Sequence, residues 1–267
     1  MEIFEFDFMI RAFIAGIFIA LTAPSFGIFA VVKRYAMLSD TLAHIALLGV
    51  AIGFLFGFSI TISTILISGL AAVLIEYVRS YKKVYSDSVL SIFLSAALAF
   101  SIIIVSMSGS FNSSLFDYLF GSIVAVSDED IIMIVCFFIV SLIFLALNYD
   151  KLLLSSFNEE LAIANGVNVR VINISFTALV GVSVAISIKI IGALLIGALM
   201  IIPVISAIAF KKSFFHTWMI ALAIGVFSVI AGLFASFYFS FPSGATIVVI
   251  LFVIFSLSLM LQKIRYG

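Results

Sequence analysis

The sequence predicts an all-α polytopic membrane protein with about nine transmembrane helices. Of its 267 residues, 65% are hydrophobic and only 10% are charged. Stretches of about 20 apolar residues recur along the chain, which is the length of helix that crosses a hydrocarbon core of roughly 30 Å. The predicted spans are 9–31, 41–58, 60–78, 88–107, 131–148, 171–188, 190–209, 217–237 and 245–262. Because few residues remain outside them, we expect one integral membrane domain over residues 1–267.

Charged residues predict the orientation of the spans. Eleven of the 13 basic residues fall on one side of the membrane, namely Lys33, Arg34, Arg79, Lys82, Lys83, Lys151, Arg170, Lys211, Lys212, Lys263 and Arg265. The positive-inside rule assigns that side to the cytoplasm. Acidic clusters at 2–7 and 128–130 fall on the other side, so the predicted topology is N-out/C-in. The net charge of zero gives no indication of nucleic-acid binding, and no such partner is expected.

Asp40 and His44, at the head of the second span, are the strongest candidates for a functional site. Residues four apart lie on one face of a helix, so a carboxylate oxygen and an imidazole nitrogen can reach one ion. Ionisable groups within a membrane are costly and by default mark a transport path or a ligand site. The alternative is a neutral pair whose members bond to each other or to a neighbouring helix.

The ligand chemistry of this pair suits zinc, manganese or ferrous iron, and suits copper(I) poorly because no thiolate or thioether pattern accompanies it. Two ligands are too few for a tight site. A dimer with its two-fold axis along the pore would bring two Asp40 and two His44 side chains together.

Three glycines on the same helix predict a packing face. Gly49, Gly53 and Gly57 are spaced by four residues and, at about 100° per residue, lie roughly opposite Asp40 and His44. Small residues allow close backbone packing between membrane helices. The opposite face of the helix is then free to line a cavity.

The longest cytoplasmic connection, residues 150–170, predicts a short helix at the membrane surface. Asn158 can cap it, Glu159 and Glu160 suit its first turn, and Gly166 suits its end. It is either an interfacial connector or a docking element for a cytoplasmic partner. The sequence has no G-x-x-x-x-G-K-[ST] phosphate loop, so an ATP-driven process would need a separate ATPase subunit, which we would place at this helix.

At these residues the chain resembles a known family. The run from Asp40 to Val50, Asp-Thr-Leu-Ala-His-Ile-Ala-Leu-Leu-Gly-Val, is similar to the signature of the integral permease subunits of zinc/manganese ABC importers. Residues 116–121, 160–167 and 191–203 resemble further blocks of that family, in the family's order. Together the blocks extend over most of the chain.

The resemblance implies a single transmembrane permease domain in the bacterial inner membrane, without enzymatic activity of its own. Such a permease dimerises, binds a cytoplasmic ATPase pair and receives metal from an external solute-binding protein. The metal is bound only in transit, with no resident cofactor, and the Asp-Thr-Leu-Ala-His form favours zinc. The residues that match the translocation path are Asp40 and His44. Those that match the ATPase-coupling region are Asn158, Glu159, Glu160, Leu161, Ala162 and Gly166.

Alternatives remain open at this point. Manganese or ferrous iron could be the substrate, and a secondary carrier driven by an ion gradient or an intramembrane enzyme with His44 as base are other classes. In the family an aspartate often stands where this chain has Ser240. Asp40 follows Arg34 by six residues, about 9 Å if helical, so the pair is expected near the cytoplasmic interface unless the intervening segment dips into the membrane.

Two further charged residues receive simpler interpretations. Lys189, at an external junction, is expected to snorkel towards the interface rather than gate cations. Glu76 is expected to form an interfacial ion pair with Arg79.

Overall fold

The computed structural model describes residues 2–82, 86–107, 118–122 and 125–266, and these residues form helices joined by short turns, with no β-strand among them. A 3₁₀ turn at Glu2–Glu5 precedes the first helix. The α-helices are α1 Asp7–Val32, α2 Leu38–Phe56, α3 Ile60–Lys82, α4 Ser86–Met107, α5 Asp128–Leu147, α6 Tyr149–Phe157, α7 Glu159–Ala164, α8 Val169–Ile191, α9 Ala193–Ile208, α10 Phe214–Phe239 and α11 Ser243–Tyr266. The all-α class is as predicted.

Nine of these helices correspond to the nine predicted spans. Eight are long and apolar enough to cross a membrane, whereas α9 has only 16 residues, or about 24 Å. The span predicted at 190–209 begins too early, because α8 continues to Ile191 and the chain turns at Gly192. Gly192 has a φ of 93°, and its N–H donates to the carbonyl of Ile188. A glycine tolerates this conformation, so two helices follow one another with a single residue between them.

The centre of the bundle is built from α1, α2 and α8. In the most apolar stretch of each of these helices, 72%, 67% and 61% of the residues are buried. The corresponding values for α4, α5 and α11 are 17–22%. A helix that is apolar all round is either in the protein core or facing lipid. The second span, which carries Asp40 and His44, is therefore a central helix and not a peripheral one.

One end of the bundle collects basic side chains, and we call it the basic end. Its members include Lys33, Arg34, Arg79, Lys151 and Lys211. Contacts between distant parts of the chain bring this end together: Arg79 Nη2 lies 3.5 Å from Glu159 Oε1, and Lys33 Nζ lies 3.3 Å from Ser155 Oγ. Successive spanning helices run in opposite directions, so α1, α3, α5, α9 and α11 begin at the opposite end.

At the opposite end Lys189 does not snorkel, contrary to expectation. Its Nζ lies 2.6 Å from Asp130 Oδ2, so α8 and α5 are joined by an ion pair. Asp130 is also held by the capping box of α5, in which Ser127 N–H donates to its carboxylate over 2.8 Å. Residues 118–122 pack on the end of α8 through a bond from Ser122 N–H to Lys189 O. Residues 108–117 and 123–124, which include part of the family block 116–121, lie outside the described residues.

The predicted glycine face of α2 has two different parts. Gly49 lies against the backbone of Thr64, and Gly53 lies against Ile60, so α2 and α3 are in close backbone contact along this line. Gly57 does not pack on another helix, contrary to prediction. It ends α2 with a left-handed φ of 68°, and an added Cβ would have nothing within 4 Å.

We expect Gly49→Ala to lower the thermal stability of the detergent-solubilised protein. Its Cβ would lie 2.7 Å from Thr64 Cα, so α3 would have to move, and overpacking of this kind costs about 1–3 kcal/mol. Gly69→Ala is the matched control, because its Cβ would be 3.8 Å from the nearest atom, an ordinary contact. The control should be neutral or slightly stabilising, since alanine is favoured in helices by up to about 1 kcal/mol. Equal melting temperatures for the two variants would contradict this account of the α2–α3 contact.

Candidate metal site

The structure places Asp40 and His44 on the first two turns of α2, with Asp40 exposed and His44 half-buried. No hydrogen bond or ion pair joins either side chain to another group in the described part of the protein. The Nδ1 atom of His44 is buried and has no hydrogen-bond partner there. Since buried polar groups are normally satisfied, this nitrogen is available to a group from outside the described residues. The geometry thus does not show the alternative in which Asp40 and His44 are hydrogen-bonded to each other.

A glycine on α9 positions the carboxylate of Asp40. A Cβ built on Gly197 would overlap Asp40 Oδ1, so the carboxylate occupies the space that any other residue would fill. Ser39 Oγ is buried and has no described partner, and it lies 3.3 Å from the position of that added Cβ. Sequence reasoning missed Gly197 and Ser39, because the contact between α2 and α9 joins residues far apart in the chain.

The same contact shows how deep the site lies. Gly197 is eleven residues from Ile208, where α9 ends at the basic end, and eleven residues span about 16 Å along a helix. The turn between α1 and α2 enters the bundle, since Tyr35 is only 5% exposed and its ring lies under Arg79 at 4.7 Å. Asp40 is therefore level with a point about 16 Å along α9 from the end of that helix.

Within the described part of one chain, no third His, Cys, Asp or Glu side chain joins Asp40 and His44. Among the described residues no group of three or more His, Cys, Asp or Glu side chains is close enough to hold a metal ion. Beside Asp40, α9 exposes an apolar stripe that includes Leu194, Ile205 and Ile208. One chain thus offers two potential ligands next to an uncovered apolar surface, and the roles of Asp40 and His44 as metal ligands stay predictions.

The connection between α5 and α8 contains two short helices instead of the single one predicted. The second, α7, is capped as expected: Asn158 Oδ1 accepts from the Leu161 N–H over 3.0 Å. Ala162 is buried, and Gly166 has a φ of 78° just beyond the helix. The exposed fractions of Phe157, Leu161 and Ile163 are 67%, 51% and 62%, which makes α7 and the end of α6 an apolar surface at the basic end.

Polar contacts tie α7 to the bundle. Glu159 Oε1 accepts from Asn173 Nδ2 over 3.2 Å and lies 3.5 Å from Arg79. Arg79 in turn donates two hydrogen bonds to Glu76, of 3.0 and 2.6 Å. The Glu76–Arg79 pair is as predicted, but Glu76 is only 1% exposed and so is buried rather than interfacial. Glu160, next to Glu159, is exposed.

These features define a class: a multi-pass helical membrane protein with a carboxylate–imidazole pair on a central helix and an exposed apolar helix at its basic end. The profile of the ABC 3 transport family matches residues 5–262. The chain belongs to this family.

Two curated relatives and a solved structure are similar to this chain over nearly its whole length. The manganese import system permease protein ScaB of Streptococcus parasanguinis is 30% identical, with 95% of this chain and 90% of the relative covered. The high-affinity zinc uptake system membrane protein ZnuB of Buchnera aphidicola is also 30% identical, with 91% and 93% covered. PsaBC from Streptococcus pneumoniae, solved in complex with Fab, contains a similar chain with a TM-score of 0.85, 27% identity and coverages of 98% and 97%.

Proposed function

We propose that this chain is the membrane-spanning permease subunit of an ATP-binding-cassette importer that carries a divalent transition metal, with zinc favoured, into the cytoplasm. The observation that carries the proposal is the pair Asp40 and His44 on a central helix, with an imidazole nitrogen that lacks a partner in the described structure. Relatives of this family include proteins named for zinc and for manganese. The metal is the substrate, and ATP is hydrolysed by a separate subunit.

Zinc is favoured over manganese and ferrous iron by the ligand set of a dimer. Two chains related by a two-fold axis would supply two imidazole nitrogens and two carboxylate oxygens, a tetrahedral set that suits zinc, whereas manganese prefers sites richer in oxygen. The exposed apolar stripe on α9 beside Asp40 supports a contact between two copies, because uncovered apolar surface often marks an interface.

The orientation follows from charge. The basic end is cytoplasmic by the positive-inside rule, so α7 faces the ATPase and the opposite end faces an external solute-binding protein. The exposed apolar side chains of α7 and the end of α6 support a docking role for α7, which we call the docking helix. Asn158 precedes this helix and Gly166 follows it.

The test is metal uptake by proteoliposomes that contain the permease with its ATPase subunit and solute-binding protein. We expect uptake of radioactive zinc that requires hydrolysable ATP and exceeds uptake of manganese or ferrous iron at equal concentration. Proteoliposomes with a non-hydrolysable ATP analogue are the control. Preferential uptake of manganese would reassign the substrate, and uptake driven by an ion gradient without the ATPase would indicate a secondary carrier.

A further inference from the structure

A polar cavity of about 480 Å³ lies at the basic end, beside the docking helix. The side chains that line it include Lys33, Arg34, Arg79, Ser155, Phe157 and Glu159. The cavity therefore adjoins the exposed apolar surface of α7 and the end of α6. A partner that covers this surface would also cover the cavity.

Among the described charged side chains around the cavity, all but one have a hydrogen-bond or ion-pair partner. Arg79 is held by the buried Glu76 and lies near Glu159. The ammonium group of Lys33 donates to Ser155 Oγ and to Asn173 Oδ1, and it is attracted by both glutamates. Burial lowers the pKa of Lys33 to about 8, so this lysine still carries its charge at neutral pH.

Arg34 is the exception. It lines the cavity and is exposed, and no hydrogen bond or ion pair of its side chain is seen in the part of the chain that the structure describes. Of the described residues, Lys33, Arg34 and Arg79 line the cavity with Glu159, and Glu76 lies behind Arg79, so this group carries one positive charge in excess. That excess is available to an anionic group from outside the chain.

Main-chain hydrogen bonds hold Arg34 in place beside the cavity. Its φ of 59° is left-handed, a conformation that ends helices and in which glycine is usual. Main-chain bonds hold it there, from Arg34 N–H to Val31 O at 3.0 Å and from Tyr35 N–H to Ala30 O at 2.8 Å. A residue with a Cβ pays roughly 1–2 kcal/mol in this conformation. Lys211 and Ser240 also have a left-handed φ, so the role of Arg34 is argued from its charge and its place at the cavity.

We propose that Arg34 is an anchor for a carboxylate side chain of the ATPase subunit, which enters the cavity when α7 docks. The inference rests on the proposed function, since it needs an ATPase partner. A guanidinium presents two parallel N–H donors that match a carboxylate, and such bidentate bonds are among the strong ones. Arg34 then supplies charge recognition beside the apolar contact of Leu161 and Ile163, and together they set the position of the partner on the permease.

The experiment compares two substitutions that relieve the same backbone strain. Arg34→Gly removes the proposed anchor, and Lys211→Gly is the matched control, because Lys211 also has a left-handed φ, 52°, at the basic end and does not line the cavity. Binding of the purified ATPase subunit to the full-length permease in nanodiscs is measured at low and moderate salt. Thermal unfolding of each variant is measured in parallel.

We expect Arg34→Gly to melt at or above the temperature of the original protein, because glycine adopts a left-handed φ without strain. Arg34→Gly should bind the ATPase at least tenfold more weakly and with a smaller salt dependence, whereas Lys211→Gly should bind within twofold of the original. Arg34→Gln and Lys211→Gln repeat the comparison without adding a glycine, in case a glycine variant fails to fold.

The outcomes separate the two proposals. If Arg34→Gly and Arg34→Gln bind the ATPase as tightly as the original protein, Arg34 is not an anchor. If the unmodified permease does not bind the ATPase, the proposed function itself is wrong, whatever the variants do.

Discussion

Asp40→Asn and His44→Gln are each expected to lower ATP-driven metal uptake by about 100-fold or more. Each removes one of the two candidate ligands, and even the loss of an outer partner of a metal ligand typically costs 10–100-fold in affinity. Both substitutions keep the approximate size of the side chain. Because neither side chain bonds to another described group, the fold should be unaffected.

The measurement is uptake of radioactive zinc by the reconstituted complex, together with the melting temperature and the amount of ATPase that co-purifies. Asp87→Asn is the matched control, because Asp87 is also an exposed carboxylate in the first turn of a spanning helix, α4. We expect the control to transport within twofold of the original protein. Normal uptake by both the Asp40 and His44 variants would rule out this pair as the transport site.

Gly197→Ala is expected to have the second largest effect, at least a tenfold loss of uptake, although it removes no candidate ligand. The added methyl group would take the space of Asp40 Oδ1, so the carboxylate must turn away or α9 must move. Displacing a metal ligand by about an ångström is enough to lose much of a site's function, because such sites need their geometry held to about half an ångström.

Gly69→Ala makes the same chemical change where an added Cβ has only an ordinary contact, and it should transport normally. Zinc binding to the purified permease distinguishes a local effect from a loss of fold: Gly197→Ala should weaken binding while most of the protein remains folded. Unchanged uptake and binding would mean that the contact with α9 does not position Asp40.

The spanning helices and the candidate pair could be predicted from local pattern. Stretches of apolar residues near the thickness of a bilayer identify helices without reference to their neighbours. The spacing of Asp40 and His44 puts them on one helical face whatever surrounds that helix. The cap at Asn158 was predictable for the same reason, since its partner, the Leu161 N–H, is three residues away.

Other features could not be predicted, because they depend on residues brought together from distant parts of the chain. Lys189 was expected to snorkel, but its partner Asp130 lies 59 residues away. Gly57 continued the spacing of the glycine face, yet it ends the helix, because the pattern of small residues does not show where a helix stops. The position of the break between α8 and α9 at Gly192 could not be predicted, because the residues on both sides of it are apolar.

The sequence by itself determined the all-α class, the approximate spans, the pair on α2 and the capped helix at the basic end, since each follows from periodicity or spacing within one segment. Only the tertiary structure decided that Gly197 faces Asp40, that the site lies about 16 Å from the basic end of α9 and that Arg34 stands at a polar cavity. Helices in a membrane pack through shape and close contact, and no local pattern records which surfaces meet.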